Sequence, residues 1–255
     1  EVERIPMRGL RFDVHGYMAH FRKVFSNSTS LSYFFPPRTT VTGILAAAMG
    51  LDRDSYYGEM SPGKLRVAVR VLTPLRKLTF SESYLDTDSV TVYAMRGFTG
   101  RVPTRREFVV AASADPGPLG YRIYLASDNA EYIERAGRAL RAPAYPISLG
   151  PANMPAWVED VEELECEPLD DPVGTPVASV VPSFLRPRVE EGLRISIEER
   201  VPRSFDPGRL SGRLENYYLE LQGRPIRISG RFGGAPVDQS APVGLRCDGD
   251  AVTPL

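Results

Sequence analysis

Apolar and polar residues alternate at the start of the chain. Leu10, Phe12 and Val14 are interleaved with Arg11, Asp13 and His15, the period-two signature of a half-buried strand. A Ser- and Asn-rich loop runs from Ser26 to Ser32, and Pro36-Pro37 follows. The period then changes. Val41, Ile44, Leu45, Ala48 and Met49 form one apolar stripe at helical spacing, with proline in the first turn and Gly50 at the stop.

Alternation returns at Leu65, Val67, Val69 and Val71, and a third strand is expected from Leu78 to Leu85. Residues 86–105 are polar, basic and Gly-bearing, with Thr91-Val92-Tyr93 as a hairpin strand. Phe108–Val110 and Tyr121–Leu125 read as strands around a turn at Asp115–Gly120. Asp128 and Glu131 have capping-box spacing for a second helix, whose stripe is Ile133, Ala136, Gly137 and Leu140. A loop from Pro143 to Pro155 leads to a strand at Trp157–Leu164.

This order is β-α-β-β-α-β with a long insertion, which predicts an α+β, ferredoxin-like domain over residues 1–167. Proline recurs in residues 168–255, where short strands at Leu193–Ile197 and Ile226–Ser229 predict a smaller β-rich C-terminal part. The acidic stretch Glu159–Asp171 reads as a solvated strand edge and linker.

Composition adds bounds. A chain of 255 residues with 42% apolar and 25% charged residues can bury a core without staples. Cys166 and Cys247 fit no metal spacing and are expected as free thiols in a reducing, cytoplasmic setting. No apolar run approaches a membrane span.

The net charge of −1 hides an asymmetry, because residues 1–110 hold sixteen Lys and Arg against ten Asp and Glu. Only three of the 31 basic residues are lysines. A basic, arginine-rich first half suits a polyanion.

The catalytic inventory is short: the chain has no GxSxG elbow, no Walker loop, no HExxH and no paired-cysteine site. His15 is expected to be exposed on the first strand. Tyr17, His20 and Lys23 are close enough in sequence to supply a base, an acid and a cation for metal-free RNA cleavage. Arg38, in the first turn of the first helix, opposes the helix dipole. It makes sense there either as a phosphate contact or as a salt-bridge partner. Arg96, Arg101, Arg105 and Arg106 form a basic cluster interleaved with Tyr93 and Phe98, which offer stacking faces.

Longer segments carry a resemblance. His20–Lys23, Asn27–Tyr33, Phe35–Gly43, Leu51–Tyr57, Pro103–Phe108 and Leu149–Pro155 closely resemble, in order, the signature of the Cas-five family of CRISPR-associated RAMP proteins. The archaeal-type I-A and I-B branches are the most similar.

The resemblance implies an RRM-related, ferredoxin-like domain with a β-hairpin thumb at about residues 86–107. It implies a non-catalytic subunit of the type I Cascade surveillance complex in antiviral defence. Such a subunit binds the 5′ handle of the crRNA, caps the backbone of Cas-seven subunits, touches the large subunit, and meets target DNA only indirectly. Neither cofactor nor metal is implied. Lys23, Asn27, Arg38 and Thr39 would meet the handle near the first helix, with Arg96, Arg105 and Arg106 at the thumb. Gly150 and Asn153 would lie in a glycine-containing loop that the RNA approaches. Val92, Tyr93, Met95 and Phe98 would face a protein partner on the thumb. In the I-C branch the corresponding protein processes pre-crRNA as a metal-independent endoribonuclease. Tyr17, His20 and Lys23 are the approximation to that set here.

Overall fold

The computed structural model describes residues 6–26, 29–85, 101–113, 117–169, 171–206, 208–230 and 243–255. Along the chain the elements are β1 (Met7–Gly16), β2 (Phe21–Arg22), β3 (Ser32–Tyr33), α1 (Arg38–Ala48), β4 (Arg66–Val71), β5 (Leu75–Leu85), β6 (Arg101–Ala111), β7 (Leu119–Ser127), α2 (Ala130–Arg141) and β8 (Ala156–Leu169). The C-terminal third adds short strands: β9 (Pro176–Val177), β10 (Val181–Pro182), β11 (Pro187–Arg188), β12 (Ile195–Pro202), β13 (Leu214–Glu220), β14 (Ile226–Ile228), β15 (Gly244–Cys247) and β16 (Asp250–Val252). The protein is an α+β fold dominated by sheet.

The main sheet has the order β16-β15-β8-β1-β7-β4, with every pairing antiparallel. Leu10, Phe12 and Val14 of β1 and Tyr121, Ile123 and Leu125 of β7 point to one side, as the period of two requires. There they meet Val41, Ile44 and Leu45 of α1 and Ile133, Ala136 and Leu140 of α2 in one core. Val180, Val201, Tyr217, Leu219 and Leu255 join the same core. The C-terminal third is therefore packed into the main body, and β15 and β16 extend its sheet.

Local chemistry sets the helix ends. Pro37 precedes α1 with φ −53° and ψ 158°, and the helix closes in a Schellman turn. Gly50, at φ +68°, donates to Ala47 O, and Leu51 donates to Ala46 O at 2.9 Å. At α2 the cap is Asn129, not Asp128: its side chain accepts from Tyr132 N at 3.1 Å. Asp128 instead faces Arg66, a surface pairing that sequence spacing does not reveal.

The opposite sheet face carries a smaller apolar cluster, with Met7, Ala68, Tyr124, Ala126, Leu245 and Val252, beside paired charges. Asp13 receives a bidentate grip from Arg122 at 2.7 Å, Arg70 meets Asp250, and Arg11 meets Glu162 and Asp248. His15 is not exposed, because its ring stacks on Trp157 at 5.9 Å and is half-buried.

The cysteines correct a further expectation. Register places Cys247 opposite Cys166 on adjacent strands, both fully buried, and the two are joined in a disulfide. They are 81 residues apart in sequence, so only strand pairing brings them together.

Strands β5 and β6 form a hairpin in register from Leu75↔Ala111 to Leu85↔Arg101. Its connection, residues 86–100, lies outside the described residues. So do Arg96 and the four side chains expected to face a partner, Val92, Tyr93, Met95 and Phe98.

Candidate nucleic-acid interface

The hairpin register decides what faces what. Phe80 pairs with Arg106, Leu78 with Phe108, Glu82 with Thr104 and Tyr84 with Val102. Paired residues share a face, so aromatic side chains flank Arg106. Its guanidinium lies 5.1 Å from the centre of the Phe108 ring, and Phe80 stands 5.6 Å from that ring. One guanidinium nitrogen donates to Glu82 Oε2 at 3.2 Å and to Tyr84 Oη at 3.3 Å. Arg106 is nine-tenths buried, and these two bonds fix its guanidinium in the hairpin wall.

This wall bounds a cleft of about 540 Å³ that is completed by His20, Arg22, Ser30, Thr40 and Gly150. His20 ties its sides together. The ring Nδ1 lies 2.7 Å from Glu107 O, a pure acceptor, so Nδ1 carries the proton. Nε2 then accepts from Ser30 Oγ at 2.9 Å. The His20 backbone donates to Leu149 O at 3.0 Å. Burial holds the imidazole below its usual 6.5, and the cations Arg106 and Arg22 push the same way against the Glu107 carbonyl and carboxylate. Tyr84 is pushed up by its hydrogen bond to Glu82, and the same bond holds the Glu82 carboxyl down.

Several residues singled out from sequence lie elsewhere. Arg38 is buried, with its guanidinium donating to Met60 O at 2.5 Å, Leu65 O at 2.8 Å and Arg203 O at 3.3 Å. Burial lowers its pKa to about 10. It holds the fold together and cannot meet a phosphate at the surface, and its partners are carbonyls, not an acid. Lys23 is held 2.7 Å from the buried carboxylate of Glu198. Thr40, and not Thr39, lines the cleft. Arg105 is exposed on the other face of β6 from Arg106, so the two do not act as a pair.

Gly150 lines the cleft, while Asn153 is exposed further along its loop. Asn27 lies outside the described residues. Tyr17, His20 and Lys23 have separate partners: Tyr17 is exposed beside Trp157, His20 is in the cleft wall, and Lys23 is on Glu198. Among the described residues no group of His, Cys, Asp and Glu could hold a metal ion.

Sequence reasoning missed Ser30, Thr40, Phe80, Tyr84 and Thr104. A signal for two of them was present, since alternation over residues 78–85 puts Phe80 and Tyr84 on one face. What it lacked was the strand opposite.

The family model described as CRISPR-associated protein (Cas_Cas5) matches residues 9–212. The chain belongs to this family. The match runs from within β1 through β12, and so includes both walls of the cleft.

Solved structures of other proteins share the fold. A CRISPR protein from Archaeoglobus fulgidus is 15% identical, with 97% of this chain and 99% of that one covered at a TM-score of 0.57. A chain of a CRISPR RNA-guided surveillance complex is 17% identical, with 89% and 95% covered at a TM-score of 0.51. No curated protein matches the chain at a significant level. No helix among the described residues is long and apolar enough to cross a membrane.

Proposed function

We propose that this Cas-five family chain is a non-catalytic subunit of a type I CRISPR effector complex that holds the 5′ handle of the guide RNA in the cleft. The observation that carries this reading is Arg106, whose guanidinium lies on the cleft wall beside Tyr84 with the Phe108 ring 5.1 Å away. A guanidinium beside aromatic faces suits both parts of single-stranded RNA, phosphate and base. Arg22 adds a second cation at the same cleft.

The sheet order β8-β1-β7-β4, with α1 and α2 as the crossovers, supports a ferredoxin-like, RRM-related domain. The β5–β6 hairpin supports a thumb at its end. In an antiviral complex this subunit would cap a Cas-seven backbone and touch the large subunit. Membership of the family and a shared fold with a chain of an RNA-guided surveillance complex favour that setting.

A second reading is metal-independent cleavage of pre-crRNA. It is favoured by one observation, a neutral His20 of fixed tautomer next to Arg106 and Ser30. Labelled repeat RNA incubated with the full chain, in EDTA and in Mg²⁺, separates the two. The binding reading expects intact RNA, a shifted complex, and weaker binding by Arg106→Ala. Cleavage within the repeat that is lost in His20→Ala would establish the enzymatic one.

A further inference from the structure

The main sheet covers most of its borders from within the chain. On the β4 side, Val180 N donates to Val69 O and Leu255 N to Val67 O, each at 2.8 Å. On the β16 side, Ala178 N donates to Ala251 O at 2.9 Å. One border is left over. β15 pairs only with Cys166–Leu169 of β8, so residues 157–165 have β1 on one side and no strand on the other among the described residues.

Ala156 shows which way the backbone groups of this border point. Its N–H donates away from β1, to Ile147 O at 2.9 Å. By the two-residue period, Val158 turns its N–H and C=O to the same side. There no backbone group of the described residues meets them. A β-bulge follows: Asp160 has φ +51°, and Arg11 and Asp13 of β1 face Glu162 and Glu159. Beyond it Arg141 takes Val161 O at 2.9 Å.

Two features select what can pair here. Beside Val158 lies a mostly apolar depression of about 450 Å³, walled by Leu140, Pro143, Pro146, Ile147, Ala156 and Trp157. The border itself is acidic. Glu159, Asp160, Glu162, Glu163 and Glu165 fall within one stretch that holds no Lys or Arg. Arg8, Arg11 and Arg141 are the cations beside it, which leaves it net negative. Charge and a bulge on an open edge turn away neutral and acidic strands, so a basic strand is the one that gains from them.

We propose that the first half of β8 is a strand-addition site for an extended, basic segment of a partner protein. The segment hydrogen-bonds Val158, seats one apolar side chain in the depression, and sets Arg or Lys side chains against the acids. The surface shares no lining residue with the cleft and does not depend on what the cleft binds.

The full chain and a short peptide of alternating arginine and valine test this, with a glutamate–valine peptide as control. Trp157, the single tryptophan, reports occupancy through its fluorescence. The arginine peptide should shift that emission, slow hydrogen exchange at the Val158 amide, and bind about tenfold or more tightly than the control. Val158→Pro removes the outward N–H at a position where an edge strand tolerates proline. It should weaken binding about tenfold, with the melting temperature unchanged within about 2 °C. Asp160→Asn keeps the left-handed backbone and should weaken binding about threefold. Arg106→Ala should bind the peptide like wild type.

Failure of the arginine peptide to bind overturns the proposal. So does equal binding of the two peptides, or binding without protection of the Val158 amide, since either marks an unspecific contact. Wild-type affinity in both Val158→Pro and Asp160→Asn overturns it as well. If Val158→Pro unfolds, Asp160→Asn and the exchange of the Val158 amide decide. A chain that dimerises alone and protects Val158 without peptide would make the occupant a second copy, and the proposal falls.

Discussion

The α-carbon of Gly150 is pressed against the backbone of His20: a Cβ at Gly150 would stand 2.2 Å from the His20 carbonyl oxygen. The loop carrying Gly150 also has φ +116° at that residue, a conformation that L side chains rarely adopt. The glycine is therefore demanded by the protein's own backbone, whether or not RNA approaches it. Gly150→Ala should lose about 2–4 kcal/mol of stability, through clash and strain together. Urea denaturation of the purified chain measures this, and an unchanged midpoint would mean that the loop moves freely off His20.

His20 predicts a pH dependence. Its folded pKa lies below 6.5 because burial and two nearby arginines disfavour the imidazolium. Below 6.5 the unfolded chain takes up a proton that the folded chain refuses, so stability falls with pH there. Above 6.5 both forms are neutral and the contribution is complete. Melting curves between roughly pH 5 and pH 8 should show this acid-side slope in wild type and a shallower one in His20→Gln.

Arg38 and Arg106 should separate by readout. Arg38→Ala removes the donor for three carbonyls in a buried site and should cost about 3 kcal/mol of stability. The salt dependence of RNA binding should not move. Arg106→Ala should reduce the log–log salt slope by about 0.7, the single-strand value for one phosphate. Binding titrations at several salt concentrations, with melting curves for both variants, give the two numbers.

Tyr84 should act through stacking. Its ring is nearly half exposed on the cleft wall, and every base has a face to offer it. Tyr84→Ala should weaken handle binding by about 1–3 kcal/mol and leave the salt slope unchanged. Phenylalanine at this position should restore most of the affinity, because the ring and not the hydroxyl is the contact.

The Cys166–Cys247 bond joins β15 to β8 and closes a long loop. Reduction, or Cys247→Ser, should lower stability by about 2–4 kcal/mol, since the unfolded chain regains the freedom of that loop. Peptide mapping under non-reducing conditions should recover the linked pair. Melting with and without a thiol reductant measures the effect, and a protein indifferent to the reductant would argue against a bonded pair.

Some of this was legible in residue order alone. The alternation at Leu10–Val14 and Leu65–Val71 and the stripes Val41–Met49 and Ile133–Leu140 became β1, β4, α1 and α2 with small shifts at their ends. Hydrophobic period is a local property, and the core accepts whichever face it produces. The family resemblance was legible too, because it lay in contiguous motifs. The fate of individual polar side chains was not. Arg38 and Arg106 look equivalent in sequence, yet Arg38 is covered by Met60, Leu65 and Arg203 and bonds their carbonyls, while Arg106 faces an open cleft. Lys23 is claimed by Glu198, 175 positions away, and Cys166 by Cys247. What packs across from a charged or reactive group decides whether it serves the fold or a ligand, and only the tertiary structure supplies that partner.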